Sequence, residues 1–503
     1  MDFSVLIQSL AVLLIVILLW VAAWHLRDAR LRQAGLLFAS YLFYATWGIG
    51  FLLVLIASSL MNYVCGLALR RRVTAGRLWT GVILNLLLLS LFKYVPSLLP
   101  ESPGNSSEFD FMRQIVMPVG ISFWTFQGLS YLFDLYREEE LNPTLLEFCL
   151  YMAFWPTVLS GPVCRLPNML PQFRRVSGFA LDDISLGTRR VIQGLMMKFV
   201  LAQIVGSGFT ATDGVTAGFD QVKEGWGGLD VWLLGIGFGF QLFFDFAGYS
   251  HIVIGTARIF GIRLEENFDR PYLSLTPSAF WTRWHMSLSF WIRDYVFLPL
   301  AAARRERWWP YLALVLAMAL FGLWHAAKTT FILWGIYHGL LLVMHRVGQR
   351  INRRIVFARP ARLAVLLSWA STFLLVSLGW ILFRANDLGQ ALNMYGAVFS
   401  PGAYVQLSLP ANFYMLIFLV LSGYVLFESI RLLIADWTAR YREAMEHNTE
   451  SVMRLRPAME LIQFVERNKG WCLTPMTLTV LLFGGLIVLA QTSSISPFMY
   501  TLF

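Results

Sequence analysis

The chain has 503 residues, of which 57% are hydrophobic and 14% charged, against about 25% charged in an average soluble domain. Runs of about 18 apolar residues recur from end to end, so the composition leaves no room for a soluble domain of useful size and points to an all-α polytopic membrane protein. Lys+Arg 40 against Asp+Glu 30 gives a net charge of +10. No water-exposed stretch interleaves basic and aromatic residues, which argues against nucleic acid and assigns the excess to cytoplasmic loops.

In chain order, the apolar run at residues 5–23 follows a single early charge, Asp2, and is longer than a signal-peptide core, so it reads as a retained first helix. Arg27, Arg30 and Arg32 make residues 25–33 cytoplasmic and put the N-terminus outside. Residues 36–69 are long enough for two helices broken near 48–50, ending at the cytoplasmic Arg70, Arg71, Arg72 and Arg77. Residues 79–95 lead outward to a polar, acidic loop at 96–110, and residues 115–136 return to Arg137. Residues 145–163 are apolar, yet Arg165, Arg174, Arg175, Arg189 and Arg190 follow, so both flanks read as cytoplasmic. With Pro156, Gly161 and Pro162 inside it, this is a broken or re-entrant segment. Irregular backbone at membrane depth is tolerated only where protein or a cavity covers it.

Residues 191–205 go outward, 206–228 form a Gly-rich outside loop, and 231–260 return as one long or two short segments. Residues 265–284 are polar and aromatic. Residues 286–303 carry Arg293 and Asp294 in their middle and have basic flanks, a second segment dipping in from the cytoplasm. Residues 309–325 run out, 331–345 run back, and 346–362 hold six arginines in the clearest cytoplasmic loop. Residues 363–383 lead out to a loop at 384–412, and 413–435 return. In the charged stretch 436–470, Val452, Leu455, Met459, Ile462 and Val465 recur at helical spacing, which suggests a cytoplasmic surface helix that Pro457 starts or kinks. Residues 475–489 form the last span, and the whole of 1–503 reads as a single membrane-embedded domain. The four cysteines, Cys65, Cys149, Cys164 and Cys472, lack C-x-x-C spacing and read as small core residues, not a metal site.

No G-x-S-x-G elbow, H-x-x-x-x-D spacing, P-loop or H-E-x-x-H is present. What remains is a base built into the membrane. The stretch 321–339, FGLWHAAKTTFILWGIYHG, places His325 and His338 in an otherwise apolar run. An ionisable group at membrane depth marks a working site by default; the plainer alternative is a histidine that bridges two helices by hydrogen bonds. A neutral imidazole can take the proton of an alcohol near neutral pH and so prepare it to attack a thioester carbonyl. Trp334 and His338 are spaced i,i+4 and share a helix face. Trp324 either walls off water or anchors an interface. Upstream, Asp245 between Phe244 and Phe246 could orient a histidine or arginine, or bond a helix terminus. In 281–294, WTRWHMSLSFWIRD, the residues Arg283, His285, Arg293 and Asp294 crowd among aromatics. Arg293 and Asp294 read as a pair pinning the re-entrant segment, and His285 as lining a reaction chamber. Basic residues at the cytoplasmic mouth could attract a phosphorylated donor or an acidic carrier protein.

At these residues the chain resembles the membrane-bound O-acyltransferase superfamily, most closely the bacterial branch containing the alginate O-acetylation and teichoic-acid D-alanylation membrane proteins. The resemblance is carried by PVGISFWTFQGLSYLFDLYR at 118–137, FWPTVLSGPVCR at 154–165, FDFAGYSHIVIGTARIFGIRLEENFDRPY at 244–272 and FWTRWHMSLSFWIRDYVFLPL at 280–300. It continues in LWHAAKTTFILWGIYHG at 323–339, WILFRANDLGQALNMYGAVF at 380–399 and PFMYTLF at 497–503. The resemblance implies a ring of about a dozen helices, with broken or re-entrant segments around a thin centre. It implies an acyltransferase of the bacterial inner membrane that moves an acyl group, acetyl in the alginate-type branch. The donor would be a cytoplasmic thioester such as acetyl-CoA or an acyl-carrier protein, with no bound cofactor or metal. The acceptor would be a hydroxyl of a polysaccharide or glycan outside, reached through a periplasmic acetyltransferase partner. The family's membrane histidine falls on His325 and its second histidine on His285, which makes these two the catalytic candidates. His338 matches a frequent histidine, and with Trp324, Asp245 and Arg283 it is a candidate for lining the substrate channel. The chain departs from the pattern at Ala326, Ala247 and His251, where glycine, serine and aspartate are common. D-alanyl transfer is the alternative within the superfamily. A proton-coupled transporter or flippase is the alternative outside it, although no inverted repeat supports that.

Overall fold

A computed structural model describes residues 15, 18–21, 25–98, 116–137, 139–175, 180–208, 214–220, 226–352 and 362–446. The described residues contain helices and no strand. In chain order the helices are α1 (Ala29–Ala45), α2 (Ile49–Arg71), α3 (Ala75–Lys93), α4 (Ile121–Tyr136), α5 (Leu145–Ala153), α6 (Leu166–Arg174) and α7 (Leu181–Leu195). There follow α8 (Ala202–Ser207), α9 (Val215–Asp220), α10 (Gly228–Ile259), α11 (Pro277–Trp281), α12 (Met286–Ile292) and α13 (Leu298–Ala302). The last are α14 (Trp309–His325), α15 (Thr329–Asn352), α16 (Arg362–Arg384), α17 (Leu388–Phe399) and α18 (Ala411–Glu446). Among the described residues, six helices are long and apolar enough to cross a membrane. The protein is therefore an all-α, multi-pass membrane protein.

The chain divides into two compact units. Of the described residues, one comprises those up to Gly194 together with Tyr249–Phe383; the other comprises those of Leu195–Gly248 and of 384–446.

In the first unit, the break expected near residue 48 is Gly48 itself, at φ 144° between α1 and α2. A side chain there would be strained, so glycine ends one helix and admits the next. Thr74 accepts from the Arg77 N–H at 3.5 Å and turns the chain from α2 into α3. Across that pair, Asn62 and Asn85 exchange amide hydrogen bonds of 3.1 and 2.8 Å, the polar glue that holds helices together where lipid supplies no hydrophobic drive. The hairpin α14–α15 is packed more closely still. A Cβ added at Gly322 would run into the Phe331 carbonyl, and one at Gly335 into the Met318 carbonyl, so the two backbones touch along a seam that only glycine allows.

Both broken segments are present. α5 opens on a Thr144–Glu147 capping box and stops at Ala153, leaving irregular chain up to Arg165. α12 and α13 are one-to-two-turn helices joined by the π-turn Arg293–Phe297. The Arg293–Asp294 pair expected there forms at 2.7 Å. It is joined by Arg165, at 2.7 Å from the other Asp294 oxygen, while Arg137 donates to the Asp294 carbonyl at 2.6 Å.

Several boundaries differ from expectation. α1 begins at Ala29, inside the supposed basic loop, because Asp28 caps it by accepting the Leu31 N–H at 2.9 Å. α7 begins at Leu181 and runs through the π-turn Met196–Leu201 into α8, so the helical course starts ten residues before 191. In the second unit, the loop expected at 384–412 holds α17, capped by Asp387, which accepts the Gln390 N–H at 2.8 Å. α18 continues to Glu446, so the start of the 436–470 stretch belongs to that helix. The rest of that stretch and the expected span at 475–489 lie outside the described residues, as does most of 5–23.

Candidate active site

The first unit brings His325 and His338 into one aromatic cluster, both against Trp334, with His285 within electrostatic range of His325. His285 precedes α12 in the left-handed region, at φ 43° and ψ 53°, where a non-glycine residue is held only by its surroundings. Asn267 supplies them. Its Oδ1 meets His285 Nδ1 at 3.0 Å, the Ser287 N–H at 3.3 Å and Ser287 Oγ at 2.9 Å. Its Nδ2 donates to Ser250 Oγ at 3.1 Å. A backbone N–H can only donate, so the Asn267 atom it meets must be the amide oxygen. An amide oxygen can only accept, so the His285 proton sits on Nδ1 and Nε2 carries the lone pair. Ser287 Oγ in turn accepts the Val163 N–H at 3.0 Å. The two broken segments thus meet at this buried network.

His325 is the last residue of α14 and is half-buried, whereas His285 is 3% and His338 0% exposed. Its ring is surrounded by Trp324, Phe383, Phe321, Trp334 and Phe331, at centroid distances of 4.7, 5.0, 5.1, 5.5 and 6.0 Å. His285 and Lys93 lie within electrostatic range of it. Lys93 Nζ stands 4.8 Å from the centroid of the Trp324 ring, and the Tyr94 hydroxyl donates to the Leu323 carbonyl at 3.3 Å, tying the end of α3 to the last turn of α14.

His338 sits against Trp334, as the i,i+4 spacing predicts, at 5.1 Å, and against Trp281 at 5.2 Å and Tyr337 at 5.4 Å. Neither of its ring nitrogens has a hydrogen-bond partner among the described residues, and the same holds for the indole N–H groups of Trp281, Trp324, Trp334 and Trp380. A Cβ added at Gly379 would lie 2.6 Å from His338 Nε2, so α16 is bare where it faces the ring.

Of the other sequence candidates, Trp324 is buried beside His325. Arg283 is half-buried, and its carbonyl accepts the Asp269 N–H at 3.0 Å. Asp245 belongs to the second unit, where its carboxylate pairs with Lys198; the partner is a lysine, not the histidine or arginine expected. His251 accepts at Nδ1 from Arg190 Nε at 3.0 Å. Sequence reasoning passed over Asn267, Ser287 and Lys93. Nothing local marks the first two. Lys93 carried the same signal as the histidines, a charge at the end of an apolar run. The arrangement as a whole offers a partly open imidazole, a buried imidazole of fixed tautomer and an ammonium group beside them.

Comparison with known proteins identifies the family. The model of the membrane-bound O-acyltransferase (MBOAT) family matches residues 36–384, and a model described as a family of unknown function (DUF5989) matches residues 456–503. The chain is 37% identical over 398 residues to a probable alginate O-acetylase AlgI of Azotobacter vinelandii, covering 76% of each chain. It is 32% identical over 402 residues to the peptidoglycan O-acetyltransferase of Helicobacter pylori, covering 74% of each. It is 29% identical over 335 residues to the teichoic acid D-alanyltransferase of Bacillus subtilis, covering 64% of this chain and 81% of that one. The protein that carries this histidine cluster in its membrane helices belongs to the membrane-bound O-acyltransferase family and is an acyltransferase.

Proposed function

We propose that the protein takes an acetyl group from a cytoplasmic thioester, acetyl-CoA or an acyl-carrier protein, and passes it to a hydroxyl on the outer side of the bacterial inner membrane. The final acceptor is an exported polysaccharide or another envelope glycan, with a periplasmic acetyltransferase receiving the group on the way. The alginate and peptidoglycan O-acetylating relatives support the acetyl group and the glycan. The N-terminus lies outside, on the reading that Arg27 before α1 and Arg70, Arg71, Arg72 and Arg77 between α2 and α3 face the cytoplasm.

One observation carries the reading: His325, an ionisable side chain at the end of an apolar helix, is half-buried while Phe321, Trp324, Trp334, Phe383, His285 and His338 are buried. His325 is the general base. It takes the proton as the hydroxyl oxygen bonds to the thioester carbon. When the C–S bond breaks, it returns that proton to the departing thiolate, leaving an ester and a thiol. His285, held by Asn267, supports the chamber from its Nε2 side, and Trp324, His338 and Arg283 line it. Asp245, paired with Lys198, supports the second unit.

The test supplies acetyl-labelled CoA to the outside of sealed inside-out vesicles and looks for labelled ester within. The parent is expected to form ester and His325→Ala to form none. Transfer by His325→Ala at the parental rate would overturn the assignment. Movement of an intact solute without ester formation would make the protein a transporter.

A further inference from the structure

We propose that the Lys93 ammonium is the group that binds the oxyanion of the tetrahedral intermediate. The proposal rests on His325 being the base. Lys93 ends α3, a span of 19 residues, and is half-buried there. Among the described residues no carboxylate pairs with it. Its one hydrogen bond among the described residues is to Ser122 Oγ, at the long distance of 3.4 Å. An ammonium has three protons to donate, and leaving it at this depth without a counter-charge is costly.

The amine is turned onto the Trp324 face, 4.8 Å from the ring centroid, and the next ring is His325, at 4.7 Å from Trp324. The Tyr94 hydroxyl bond to Leu323 holds these two chain segments in register. A cation thus stands at a fixed offset from the base, which is what acyl transfer requires. A lysine that only complements the end of its helix could have carried its amine outward to the headgroups; this one faces the aromatic cluster.

In the step, the acceptor oxygen bonds to the carbonyl carbon as its proton passes to the His325 imidazole. The carbonyl π pair moves onto its oxygen, and the Lys93 N–H donates to that oxyanion. When the carbonyl re-forms, the C–S bond breaks and the thiolate takes the proton from the imidazolium. Lys93 keeps its own three protons throughout, so nothing else is consumed. A preorganised donor aimed at developing charge is among the largest contributions available to an enzyme.

The test compares Lys93→Met, Lys93→Leu and Lys93→Arg in the full chain, in the same sealed inside-out vesicles, with acetyl-labelled CoA outside and labelled ester scored within. Loss of one oxyanion donor is expected to lower kcat by about 100- to 1,000-fold with KM for acetyl-CoA unchanged within twofold, and the arginine variant to recover at least a tenth of the parental kcat. Retention of kcat within fivefold in the methionine variant, or a rise in KM alone, would overturn the proposal. If the methionine variant does not fold, the leucine variant, which likewise lacks a donor, decides by the same criteria. His325→Ala is measured alongside. If it keeps the parental rate, the base assignment fails; if it is silent while Lys93→Met is fully active, only the role of Lys93 fails.

Discussion

Asn267→Ala is expected to be among the most damaging single substitutions in the first unit. The Asn267 side chain is fully buried and its oxygen accepts three hydrogen bonds, from His285 Nδ1, the Ser287 N–H and Ser287 Oγ. The hydroxyl can turn elsewhere. The backbone N–H cannot, and would be left buried without a partner at a cost of about 1–3 kcal/mol, and loss of the His285 ring bond adds about 1 kcal/mol. The substitution should therefore cost about 2–4 kcal/mol. Ser287→Ala should cost less, because it orphans only the Val163 N–H that bonds Ser287 Oγ at 3.0 Å. The Ser287–Asn267 bond is lost in either variant, so the double variant should fall short of the sum by about 1 kcal/mol. Denaturant unfolding of the purified full chain, followed by tryptophan fluorescence, measures all three. Parental stability in Asn267→Ala, or strict additivity in the double variant, would refute the reasoning.

In the second unit, Asp245→Leu alone should cost about 1.5–3 kcal/mol by taking the carboxylate from the half-buried Lys198, while Lys198→Leu combined with Asp245→Leu should restore most of it; equal losses in the two would show that the pair is solvated. Gly335→Ala drives a Cβ into the Met318 carbonyl and should cost about 1–3 kcal/mol, seen as a lower folded yield by size exclusion. Gly348→Ala, with nothing within 4 Å of the added carbon, should behave like the parent, and similar yields for both would remove the case for a glycine seam.

Much of the fold was legible because its signals are local. Gly48 marks the α1–α2 break, and the prolines and charges within 145–163 and 286–303 betray helices that stop short. Trp334 and His338 meet because a helix repeats every 3.6 residues. What escaped depends on partners distant in the chain. Arg32 was counted as a loop residue, yet it is buried inside α1 and donates to the Arg175 carbonyl. Asn267 looks like one polar residue in a polar stretch until it meets His285, eighteen residues on. Asp245 has a partner forty-seven residues away, and no periodicity reports that. α17 was hidden because its polar first turn imitates a loop.

The shortness of α14 has a consequence for how the protein responds to its lipids. The helix has 17 residues, about 26 Å of rise, against a hydrocarbon core of about 30 Å. Its start is anchored by Trp308, which is 54% exposed, and by Arg304 stacked 4.6 Å from the Trp309 ring centroid. From that anchor the helix, with His325 as its final residue, stops short of the opposite headgroups. Longer acyl chains deepen the gap an incoming hydroxyl must cross, so turnover in vesicles should fall as lipid chain length increases. Equal turnover across that series would mean that the site's depth is set by the protein alone.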